Sequence, residues 1–181
     1  MKTMRRGFRM FEFLLVTAII GVIVLFGISR YLELGRETQR LGFELLAHNF
    51  TASVAGARAQ WLIQSMQGGT RQYLDVDGIR LYMNEQGWPA RVGDQIDSVN
   101  QDLTAKDCLK LWQALLRNAV RASVEGEEAR GEAGYHISLS GTANCRYELV
   151  TEFPDGHYFD YSPTDGKVTI YALIGKETPD V

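Results

Sequence analysis

The chain has 181 residues, 45% hydrophobic and 23% charged, with a net charge of -3; that is one domain's worth of sequence with room for an appendage. Four prolines and an ordinary charged fraction exclude disordered and collagen-like chains, and a pI near 5.6 without a long basic run argues against a nucleic-acid-binding module. Two cysteines too far apart for a CxxC pair and three scattered histidines supply no zinc site.

The N-terminus is unlike the rest. Lys2, Arg5, Arg6 and Arg9 precede residues 13–29, which carry no charge. Basic residues before an apolar run keep the start cytoplasmic and send the downstream chain across the membrane. The uncharged run falls short of the roughly 20 residues of a typical span. It reaches that length only with Phe8, Met10 and Phe11, and Glu12 then lies inside the apolar block. A secretory signal peptide would use residues 13–26 as its apolar core and Gly27-Ile28-Ser29 as its cleavage site. Two features oppose that reading. A carboxylate near the bilayer centre costs roughly 2.5–3.5 kcal/mol on insertion scales, and helical patterning continues well past the supposed cut.

Gly7-Phe8-Arg9-Met10-Phe11-Glu12 resembles the leader junction of type IV prepilins: Gly before the cut, Phe first in the mature chain, Glu fifth. The resemblance implies cleavage between Gly7 and Phe8 by a prepilin peptidase and N-methylation of Phe8. The apolar segment then stays attached to the mature chain. It also implies a role for Glu12. An isolated carboxylate in hydrocarbon is protonated or paired, and the free amine of Phe8 on a neighbouring subunit would pair with it during assembly.

Residues 32–66 contain no Pro, and Phe43, Ala47, Phe50, Val54, Ala57 and Trp61 recur at steps of three and four, one apolar helical stripe. Arg36, Glu37, Arg40 and Glu44 supply a solvated face, and Gln67-Gly68-Gly69-Thr70 ends the pattern. A single helix over 8–66 is on the order of 90 Å long at 1.5 Å per residue. Many type IV pilins place Pro at mature position twenty-two; here that position is Ser29, so a Pro-driven break does not carry over.

In the remainder, Tyr73-Leu74 and residues 79–83 read as short strands around the Asp77-Gly78 turn, followed by a loop over 84–89. A second helix starts near Thr104 with Asp107 as capping-box partner and Leu103 and Cys108 as staple; its apolar face is Cys108, Leu111, Trp112, Leu115 and Ala119. Residues 125–134, rich in Gly and Glu, read as an acidic loop. Beyond it come four alternating runs, 135–140, 145–149, 157–161 and 168–174, which predict an antiparallel meander with one face packed on the helix stripe.

The fold expected is therefore α+β, the pilin ladle: a long N-terminal helix, its first half in the membrane, packed against a C-terminal antiparallel sheet with one extra helix. Its segments are the leader (1–7), the membrane and assembly half of the helix (8–30), the periplasmic half (31–68) and the head (69–181). Arg58-Ala59-Gln60-Trp61, Asp77-Gly78-Ile79, Gly87-Trp88-Pro89 and Cys108-x3-Trp112-x2-Leu115-Leu116 are similar to subunits of the mannose-sensitive haemagglutinin (MSHA) type IV pilus system. That resemblance implies a structural minor pilin, anchored in the inner membrane with its head in the periplasm and then on the pilus. Its partners would be other pilin subunits and the prepilin peptidase. A pseudopilin of a type II secretion system shares leader and ladle, and a signal-anchored periplasmic binding or adhesion domain is the reading from another class.

The only two cysteines, Cys108 and Cys145, lie in the exported part and are expected to form one disulfide. No nucleophile, base and orienter are legible, and no GxSxG, HExxH or Gly-rich phosphate loop is present. The sequence thus reads as non-enzymatic, with no cofactor and no metal. His48, His136 and His157 read as structural or surface histidines. Asp155, Asp160 and Asp165 fit solvated turns better than the calcium-binding loops some pseudopilins carry. The aromatic rings of the C-terminal strands read as core rather than as a sugar-binding face, and Trp88 as a loop ring capping the core.

Overall fold

A computed structural model describes residues 4–66, 72–76, 78–93, 102–126, 134–150 and 156–171, the side chains of 4–9 and 29–37 excepted. The expectations for 67–70, Asp77, most of the acidic loop, Asp155 and residues 172–174 fall outside them. The fold is α+β. Helix α1 (Met4–Met66) carries the apolar N-terminal segment. The chain divides into two compact units, Met1–Gly42 and Phe43–Val181.

In the second unit, α1 is followed by strands β1 (Tyr73–Val76), β2 (Ile79–Met83) and β3 (Pro89–Val92), which form an antiparallel sheet in the order β1-β2-β3. The β1–β2 turn closes with Val76 opposite Ile79, and the Asp75 carboxylate accepts from the Gly78 N–H at 3.0 Å. The β2–β3 connection is organised by Asn84. Its side-chain oxygen accepts from the Gln86 and Trp88 amides at 3.0 and 2.8 Å, the local side-chain bonding that makes Asn a turn former.

Helix α2 (Ala105–Leu115) starts at the predicted capping box: the Asp107 amide donates to the Thr104 hydroxyl at 3.2 Å, and the Thr104 amide donates to the Asp107 carboxylate at 3.0 Å. It buries Cys108, Leu111, Trp112 and Leu115. Ala119 lies beyond the end of this helix, partly buried against the core. The indole N–H of Trp112 donates to the Val120 carbonyl at 3.0 Å, which satisfies the one polar atom of a fully buried ring.

The second sheet departs from a pure antiparallel meander. Strands β5 (Tyr135–Ser140), β6 (Asn144–Leu149), β7 (Tyr158–Tyr161) and β8 (Val168–Tyr171) run as expected, each antiparallel to the next. A fifth strand, β4 (Ala122–Val124), lies parallel to β5 at the edge, so the sheet is mixed, in the order β4-β5-β6-β7-β8. The described residues of the second unit therefore form two sheets, not one. Neither β3 nor β4 is legible in the sequence: β3 opens on Pro89 directly after the Gly87-Trp88 turn signal, and the three residues of β4 are too few to display a period-2 pattern.

Alternation along β5, β6 and β7 places Tyr135, Ile137, Cys145, Tyr147, Phe159 and Tyr161 on the buried face. Against them stands the α1 stripe: Phe43, Ala47, Phe50, Val54 and Ala57 are buried and Trp61 partly so. Phe50 carries α1 into an aromatic cluster, with ring centroids of Tyr147, Phe159, Tyr161 and Trp112 at 5.2, 5.3, 5.4 and 6.5 Å. Such pairs each contribute about 0.5–1.5 kcal/mol beyond area burial. Tyr158 and Tyr171 stack on the opposite face at 4.7 Å.

Candidate membrane segment and processing site

Met10–Ile28 is the one helical stretch among the described residues long and apolar enough to cross a membrane, 19 residues with none of them buried. At 1.5 Å per residue it spans about 28 Å, close to the roughly 30 Å of a bilayer's hydrocarbon core. An exposed apolar surface of this length is unfavourable in water, the property shared by membrane spans and signal segments. Glu12 is the only charged residue in it and is exposed. Thr17 carries the segment's one hydroxyl. It donates to the Phe13 and Leu14 carbonyls at 2.9 and 3.0 Å, so this hydroxyl is satisfied within the helix. Gly7 and Phe8 lie in the first turns of α1, and their side chains fall outside the described ones. Gly7, Phe8 and Glu12 thus share the first unit, within about one and a half turns of one helix.

Cys108 and Cys145 belong to the second unit and are bonded to each other, with a Cα–Cα distance of 5.5 Å. The bridge ties α2 to β6 and is fully buried. Closing a loop across a sequence separation of 37 corresponds to about 4 kcal/mol in the chain-entropy account. The Tyr147 hydroxyl reinforces the junction by donating to the Cys108 carbonyl at 3.0 Å.

Among the carboxylates and histidines singled out in the sequence, Asp160, Asp165 and His136 have polar partners within the second unit. Asp160 accepts two guanidinium hydrogen bonds from Arg146 at 2.8 and 2.9 Å and one from the Ser140 hydroxyl at 3.0 Å. The Asp160 bond raises the Arg146 pKa despite partial desolvation. Asp165 accepts from the Lys167 amide at 3.1 Å, and the hydrogen bond from Ser162, with the Lys167 amide second, holds its exposed carboxyl below the usual range. His136 pairs through Nδ1 with the Ser123 hydroxyl at 3.0 Å, while His48 is exposed. His157 is buried with its ring stacked on Phe43 at 5.6 Å, and its Nδ1 has no hydrogen-bond partner among the described residues.

Trp88 takes a place no local signal defines. The Arg58 guanidinium lies 3.9 Å from its ring centroid, and the ring also packs on the Cα of Gly166 in the β7–β8 turn. The Asn84 side-chain amide donates to the Pro163 and Thr164 carbonyls of the same turn, both at 2.9 Å. Together these contacts join α1, the β2–β3 turn and the β7–β8 turn. A cleft of about 570 Å³ also opens between α1, the β1–β2 hairpin and the end of α2, with Gly56, Gln60, Val76, Ile79, Gln113 and Arg117 among its lining residues. It is assembled from three elements distant in sequence, so no motif announces it.

Compared with protein-family models, curated proteins and solved structures, the chain has no match.

Proposed function

We propose that this chain is a structural subunit of a type IV pilus of the MSHA kind, a pilin ladle with α1 as its handle. A prepilin peptidase cuts between Gly7 and Phe8, the new amine is methylated, and residues 8–30 hold the subunit in the inner membrane with the head in the periplasm. Assembly passes that segment from lipid into a bundle of like helices. The observation that supports this reading is the construction of the N-terminal segment: a Gly-Phe junction, then the exposed apolar stretch Met10–Ile28 with Glu12 as its one carboxylate.

The mechanism rests on solvation. Glu12 stands alone in a segment made for hydrocarbon, where an unpaired carboxylate is costly. The Phe8 amine of an incoming subunit supplies the opposite charge only after the leader is gone. Pairing removes that cost for both groups and selects one axial register, so uncut subunits are excluded from the filament. The head contributes a rigid disulfide-braced body rather than chemistry.

The test is the mass of the N-terminal peptide from membrane-extracted protein. A methylated Phe8 terminus is expected. Retention of Met1 would make the chain a signal-anchored domain, and a terminus at Arg30 a conventionally secreted one; either overturns the reading.

A further inference from the structure

We draw no further inference here: the strongest candidate, the uncharged exposed face that α1 carries in the second unit from Leu45 through Ala52, Ala55 and Ala59 to Leu62 and Met66, is an unpartnered apolar helix face, and nothing in the structure shows what covers it.

Discussion

The hydroxyl of Tyr161 on β7 donates a 2.6 Å hydrogen bond to the carbonyl of Pro89 on β3, across 72 residues of sequence. Both residues are buried, and the bond joins the two sheets of the head. Tyr161→Phe keeps the ring beside Phe50 but leaves a buried carbonyl without its donor, which costs about 1–3 kcal/mol. A lower urea midpoint at unchanged slope is the expected outcome. Tyr171→Phe, on the exposed face, should stay within about 0.5 kcal/mol of wild type. Equal effects of the two substitutions would show that the Tyr161 bond contributes nothing specific.

Alkaline pH should unfold the head through its buried phenols. Burial raises the Tyr135 pKa to about 12 and pushes Tyr147 and Tyr161 upward, with Asp165 adding to the rise at Tyr161. A phenol is neutral when protonated, so a folded-state pKa above the unfolded one stabilises the fold at low and neutral pH. That contribution is complete below about pH 10, the unfolded value, and is lost as pH rises through the folded values. The unfolding midpoint should be insensitive to these groups up to about pH 10 and fall steeply above it. Tyrosinate absorbance from these three rings should appear only together with loss of near-ultraviolet dichroism. Full ionisation of every tyrosine in the folded protein would contradict this account.

Two glycine-to-alanine substitutions should move stability in opposite directions. Gly166 has φ +72°, and a Cβ there would run into the Trp88 ring. Gly166→Ala should cost about 2 kcal/mol, from left-handed backbone strain plus displacement of Trp88 from between Arg58 and the turn. Gly56 sits inside α1 with open space around its Cα. Gly56→Ala should therefore stabilise by roughly 0.5–1 kcal/mol, through lower unfolded-state entropy and better helix propensity. Denaturant midpoints of the two variants in detergent check both signs.

On the proposed function, Glu12→Ala should leave leader cleavage intact and reduce the subunit's incorporation into sheared filaments at least tenfold, about 1.4 kcal/mol or more of lost docking free energy. Gly7→Glu should instead block cleavage and leave the full-length chain in the membrane. Immunoblots of membrane and filament fractions separate the two defects. Normal co-assembly of Glu12→Ala would remove the pairing argument while leaving the processing argument standing.

The residues proposed for processing and assembly are local features. Gly7, Phe8 and Glu12 sit within six positions, and their chemistry depends on spacing along one helix, so a sequence displays them. The latch around Trp88 is the opposite case. Arg58, Trp88 and Gly166 meet from three elements, and Gly-Trp-Pro in isolation specifies only a turn.

By itself, the sequence determined the elements whose signals repeat. The Phe43–Trp61 stripe is periodic over five turns of helix, Thr104 and Asp107 cap α2 from three residues apart, and strands β5 to β7 alternate between buried and half-buried positions. The sequence holds two cysteines, which can pair only with each other within the chain, and the structure closes that bridge. Tertiary structure alone decided that β3 completes a separate sheet, that β4 adds to the second sheet in parallel, and that Tyr161 and Asn84 bind the sheets together. The physical reason is range. A helix or an alternating strand displays its pattern within a few residues, whereas β3 and β4, which carry no such pattern, pair only because a partner edge offers hydrogen bonds.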